Sequence, residues 1–131
     1  MKPLILAIAV MAVVLSVCAA VARAADLSPV EARQIEALIG MVERLTDAAF
    51  IRNGRPYDAA TAAEFLRRKW RHRETEVYSA DDFIEQVASS SSTTGLPYLV
   101  RFSDGREIPC SAFLRTELKR LRKQEQRMDC P

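Results

Sequence analysis

The feature that most limits what this chain can fold into lies at its start. Behind Lys2 an apolar run extends from Leu4 to Val17, and Ala22-Arg23-Ala24 follows as a small-residue A-x-A site. A positive first region, an apolar stretch and such a site make the pattern of an export signal. The run would make a marginal membrane span of about 19 to 20 residues. The small-residue site and the polar sequence beyond it favour cleavage near Ala24-Ala25 instead, and with it a periplasmic or secreted location. A lipoprotein site at Leu15-Ser16-Val17-Cys18 is a weaker rival, since bulky Val17 stands where such sites take a small residue. A retained N-terminal anchor is the other alternative. With 1–24 set aside as signal peptide, the 131 residues leave 107, from 25 to 131. That length suits a single compact domain with one core that does not span a membrane.

Cleavage also changes the charge. Lys2 and Arg23 leave with the signal, so 19 basic residues become 17 and balance the 17 acidic ones, all of which lie beyond it. A neutral domain lacks the basic excess that nucleic-acid binding calls for, and export argues in the same direction.

Of the three cysteines, Cys18 departs, leaving Cys110 and Cys130 as a pair in an oxidising compartment. Between them Leu114, Leu118 and Leu121 mark a helical stripe. Sixteen helical residues span about 24 Å, whereas the last four positions reach back only about 13 Å. An intrachain bridge therefore closes only if the helix ends before about Lys123 to Gln126. An intermolecular bond and free thiols are the alternatives.

Three helix starts punctuate the chain. Ser28-Pro29-Val30-Glu31 places a cap, a first-turn proline and a capping-box glutamate ahead of Ile35, Leu38, Ile39, Val42 and Leu45, which predicts a helix over about 29–47. Phe50-Ile51 then leads into Asn53-Gly54, the dipeptide suited to a tight reversal. Asp58 caps a second helix, about 58–71, with Ala63, Leu66 and Trp70 on one face. Ser79 caps a third, about 79–89, with Asp82 as its reciprocal partner and Tyr78 and Phe83 at the staple positions. After the run Ser89 to Ser92, Tyr98, Val100 and Phe102 alternate as a half-buried strand, and Ser103-Asp104-Gly105 turns it toward Glu107-Ile108, a hairpin over about 97–109. A last helix covers about 111–125. Four helices with a small antiparallel hairpin define an α+β domain.

The serine run invites a hydrolase reading, with one of Ser89 to Ser92 as nucleophile and His72 as base. Such chemistry needs a base within hydrogen-bond reach and an oxyanion site, often with the serine on a Gly-flanked elbow. No serine here is flanked by glycine, and the one histidine sits among the basic residues of RRKWRHR. The serines read more simply as a helix end whose hydroxyls satisfy backbone groups. A second alternative is polyanion binding through Arg67 to Arg73, five positive charges around Trp70. The blocks on either side, 25–66 and 74–107, are acidic, so internal pairing accounts for the run. One histidine and two distant cysteines offer no metal-ligand spacing. Asp81-Asp82 are explained by a helix first turn. The four glycines are isolated, so no phosphate loop or dinucleotide motif is present and no cofactor is expected.

The ordered set Phe50-Ile51-Arg52-Asn53-Gly54 with Tyr57, Leu66-Arg67 with Lys69, Asp82-Phe83-Ile84 and ASSSSTTGLPYLVR resembles the small secreted bacterial family catalogued as domain of unknown function 5329, the YfeK-like proteins. The resemblance spans about residues 28 to 121. It implies a signal peptide, one compact domain and a periplasmic or secreted location, and it carries no activity and no catalytic residue. Two departures stand out: members tend to carry His before the Leu-Arg pair, where Phe65 stands here, and some carry a cysteine where this chain has Ala48-Ala49.

With that resemblance, Arg52, Asn53, Gly54 and Tyr57 on one side and Thr94, Gly95, Pro97, Tyr98 and Arg101 on the other form the candidate binding surface. Both sets sit at element ends, where binding residues concentrate. The competing reading makes them mutually supporting turns, with Arg52 bonded to carbonyls of the serine loop. The function expected is a non-enzymatic binding or interaction module of the bacterial envelope, its partner an envelope protein or a glycan.

Overall fold

The computed structural model describes residues 26–130, so the export segment lies outside the described residues. Four α-helices are present among them: α1 (Pro29–Arg44), α2 (Ala59–His72), α3 (Ala80–Gln86) and α4 (Cys110–Asp129). Four short strands complete the domain: β1 (Ala49–Arg52), β2 (Arg55–Tyr57), β3 (Leu99–Arg101) and β4 (Glu107–Pro109). The α+β class expected from the sequence is what forms.

Helix α1 starts as its sequence dictates, with Ser28 Oγ accepting from the Glu31 amide at 3.3 Å and Pro29 in the first turn. Its stripe of Ile35, Leu38, Ile39 and Val42 is wholly excluded from water. Each such burial stabilises by about 1.5–3 kcal/mol. Helices α2, α3 and α4 all contact α1, contributing Ala63 and Leu66, Phe83 and Ile84, and Leu114 and Leu118 to the same core. Trp70 of α2 is only partly buried and meets Phe83 edge-on, ring centres 5.9 Å apart.

The sheet is larger than the single hairpin expected. Its order is β2-β1-β3-β4, antiparallel throughout, with Phe50 opposite both Tyr57 and Val100, and Val100 opposite Ile108. These partners share one face, and Phe50 and Val100 carry it into the core. β1 and β2 form a second hairpin through Asn53 and Gly54, both at positive φ (52° and 76°). Two residues of that conformation match the twist of the flanking strands.

Element ends shift from the sequence expectation for identifiable reasons. α1 stops at Arg44 because the Leu45 amide turns back to the Val42 carbonyl. α3 stops at Gln86: the Ala88 amide bonds to the Phe83 carbonyl and the Ser89 hydroxyl donates to the Ile84 carbonyl at 2.7 Å, closing the helix with a side chain. α4 meets no breaker and runs to Asp129. The bridge between Cys110 and Cys130 therefore does not form. Twenty helical residues separate them by about 30 Å, and both thiols are free, Cys110 buried and Cys130 exposed.

The capping box of α1 is also corrected. Glu31 turns away from its own helix and accepts from the Ala80 amide at the start of α3 (2.6 Å), with Arg122 of α4 at 3.6 Å. Arg122 also reaches Asp81 at 2.9 Å. Three helices thus meet at one carboxylate. Glu31→Ala should cost about 1–2 kcal/mol in urea unfolding, and Glu31→Gln, which keeps an acceptor but not the charge, should recover part of it. An alanine variant as stable as wild type would show the junction to be idle.

The Asn53 side chain accepts from the Thr94 hydroxyl at 2.6 Å while its backbone holds the left-handed turn. Asn53→Ala loses both and should cost about 1–2 kcal/mol. Asn53→Gly loses only the hydrogen bond and should cost less. Equal losses in thermal unfolding would refute the backbone contribution.

A candidate cationic cleft

Of the expected surface, Arg52 and Tyr98 come together around Lys69, which the sequence offered only within the family motif and the basic run. Lys69 stands on the side of α2 shared by Phe65 and Leu66, at i+4 and i+3 from them, so its stem follows the buried face. Its ammonium donates to the Ser90 carbonyl at 2.7 Å and to the Tyr98 hydroxyl at 3.0 Å. The ammonium also lies over the Tyr98 ring, 4.8 Å from its centre. Lys69 makes the contact with the serine loop that the sequence reading gave to Arg52.

Arg52 lies instead over the Phe65 ring, its guanidinium carbon 4.2 Å from the centre. Its Nε is buried without a hydrogen-bond partner. Phe65 meets Tyr98 edge-on at 5.8 Å. Tyr98 is held by its backbone as well, its amide donating to Ser89 and its carbonyl accepting from Cys110. Among the described residues neither Arg52 nor Lys69 has a carboxylate partner.

A cleft of about 240 Å³ opens beside this cluster, lined by Arg52, Arg68, Lys69, His72 and Arg73 together with Phe65, Tyr98, Ser92 and Thr93, and by no carboxylate. Arg68 is tied to exposed Glu64 (3.4 Å) and Arg73 to Glu76 (3.1 Å), and Arg73 also donates to Ser92 Oγ (3.3 Å). On the far side of Phe65 lies an apolar cavity of about 200 Å³, walled by Phe50, Ala62, Leu66 and buried Cys110. Arg52, Phe65, Arg68 and Tyr98 line both spaces.

Burial, and then the charges of Arg73 and Arg52, lower the Lys69 pKa from 10.5 to about 8. Burial likewise raises the Tyr98 phenol, leaving it a neutral partner for the ammonium. Burial pushes the Cys110 thiol up to about 12, so it stays an uncharged wall of the cavity.

Of the expected surface, Arg52, Tyr57 and Tyr98 line the apolar cavity. Asn53 and Thr94 form the latch between turn and loop, and Gly54 and Gly95 (φ 73°) shape the backbone around it. Pro97 bridges to Ser90. Arg101 lies apart: it alternates to the face opposite Val100 and pairs with Glu107 at 2.8 Å. A locked turn thus stands beside an open cleft.

Three of the four serine hydroxyls are engaged: Ser89 closes α3, Ser91 is buried and bonded to Thr93, and Ser92 accepts from Arg73. No hydrogen bond joins His72 to any of them among the described residues. The basic run divides between two faces, with Arg67 reaching Glu43 (3.2 Å) and Glu36 (3.8 Å) on α1 while Lys69 faces the cleft. Among the described residues no helix is long and apolar enough to cross a membrane, and no group of three or more metal-ligating side chains gathers.

The molecule is thus a small α+β domain with a cationic cleft on an apolar cavity. Residues 29–122 match the family described as "Family of unknown function (DUF5329)", and the chain belongs to that family. It is similar to "Uncharacterized protein YfeK" of Salmonella typhimurium, 35% identical over 74 residues, 56% of this chain and 62% of that protein. The chain therefore spans less than two thirds of that relative's length. No solved structure matches it.

The lowered Lys69 pKa has a defined sign. Below about pH 8 the ammonium is charged in both folded and unfolded states, and the fold bears the cost of holding it half buried near Arg73 and Arg52. Between about 8 and 10.5 the unfolded chain binds the proton more strongly, so the Lys69 contribution to stability rises across that window. The stability of wild type relative to Lys69→Met should increase from pH 7 to pH 10 in urea unfolding. A flat difference would refute the lowered pKa.

Proposed function

We propose that this protein is a non-enzymatic extracytoplasmic binding module that takes its ligand by an anionic group in the cleft around Lys69. The observation that carries the reading is the convergence of Arg52 and Lys69, neither with a carboxylate partner among the described residues, on a space that no carboxylate lines. A buried guanidinium Nε without a partner is a donor short of an acceptor, and an unmade bond of that kind costs about 1–3 kcal/mol. An anion in the cleft offsets the mutual repulsion of Arg52, Lys69 and Arg73. The engaged hydroxyls of Ser89, Ser91 and Ser92, and the absence of a hydrogen bond from His72 to any serine of the run among the described residues, support binding over hydrolysis. The export pattern at the N-terminus supports an extracytoplasmic location, where an anionic glycan or an acidic group of an envelope protein is the expected partner.

Calorimetric titration with inorganic phosphate should show saturable binding that weakens as salt rises. Lys69→Gln and Arg52→Gln should each weaken it about tenfold, since each removes a charged hydrogen bond. Arg106→Gln, on the exposed β3–β4 turn, should leave it unchanged. Absence of saturable binding by the wild-type protein, or equal loss in the Arg106 variant, would overturn the assignment.

A further inference from the structure

The cleft does not end at its cations. Arg52, Phe65, Arg68 and Tyr98 are walls of both the cationic cleft and the apolar cavity, so one ligand entering between them meets charge on one side and hydrocarbon on the other. Phe65 is the shared partition, with Arg52 stacked on its face and Tyr98 against its edge. Tyr98 spans the two in the same way, its hydroxyl on Lys69 and its ring beside the cavity. A simple inorganic anion would occupy the first space and leave the second unfilled.

The polarity of the pair is fixed by its carboxylates. Glu64 lines the apolar cavity, bound to Arg68, whereas no acidic side chain lines the space at Lys69. In the cavity Glu64 offsets one of two guanidinium groups and most of the wall is hydrocarbon, whereas Arg52, Arg68, Lys69 and Arg73 face the cleft with no acidic side chain among its walls. An anionic group is therefore held more strongly in the cleft, and the ligand has a preferred orientation. The volume bounds its other end: about 200 Å³ holds about six or seven groups of the size of a water or methylene, at about 30 Å³ each. Cys110 and Ala62 line the cavity as small apolar surfaces.

Building on the anion-binding reading, we infer that the ligand is a small amphipathic anion, a phosphate or carboxylate carrying a short alkyl or single-ring substituent, with the anion at Lys69 and Arg52 and the substituent in the cavity beyond Phe65. The class excludes a bare inorganic anion as the preferred ligand, and a long acyl chain, which would outrun the cavity.

The test is a series of alkyl phosphates, methyl through hexyl and then dodecyl, titrated calorimetrically against the full-length protein. Burial of each methylene should tighten binding about two- to fourfold, up to about pentyl or hexyl, with dodecyl phosphate no tighter. Ala62→Leu, which fills the cavity from α2, should abolish the chain-length gain while leaving methyl phosphate within about twofold of wild type. Equal affinity for every ester, methyl phosphate included, would overturn this inference and leave the anion site standing. Failure of even methyl phosphate to bind would overturn both. Affinity rising through dodecyl phosphate would overturn the short-ligand class in favour of a lipid. If Ala62→Leu does not fold, the wild-type series alone decides.

Discussion

The water-free stripe of α1 is the constraint on which the remaining elements depend. Ile35, Leu38, Ile39 and Val42 can be covered only by three helices together, and α2, α3 and α4 each lean on them. Once Ala63 and Leu66 commit one side of α2 to that core, Phe65 and Lys69 are carried to its border, between helix and sheet. There β1 and the loop after α3 supply Arg52, Ser90 and Tyr98. The cleft is thus a by-product of how α2 must sit: its position is set by hydrocarbon burial, and its charge by what the border residues happen to be.

Helix starts were legible in the sequence because caps are local: Ser28, Asp58 and Ser79 each accept from the amide three residues on, as their spacing demanded. Helix ends were less so. The stop of α3 depends on a hydroxyl reaching back five residues, and that of α4 on the absence of any breaker. The Glu31 side chain read as a local box, but the Ala80 amide it serves is forty-nine residues away, and no periodicity announces a long-range partner. The β1–β2 hairpin was visible as a turn at Asn53-Gly54, yet its strands are too short for alternation to register.

The site divides along the same line. Arg52, Asn53, Thr94 and Tyr98 stood out because their motifs lie at turns and element ends, whereas Lys69, though part of the same resemblance, lay within a run of like charges and was left out of the expected surface. Its position three residues after Leu66 and four after Phe65 was the available signal, since a cation on the apolar side of an amphipathic helix must find a partner or a ligand. Arg101 shows the converse error. Strand alternation puts it on the opposite face from Val100, and sequence proximity to Tyr98 was no guide to spatial proximity.

The Glu31 junction has a mechanical consequence. Glu31 lies in the first turn of α1 and Arg122 within two turns of the end of α4, so the two ends of the described domain are fastened to each other across one carboxylate. Neither Glu31 nor Arg122 lines the cleft or the cavity, so the fastening of the two ends and the site share no side chain.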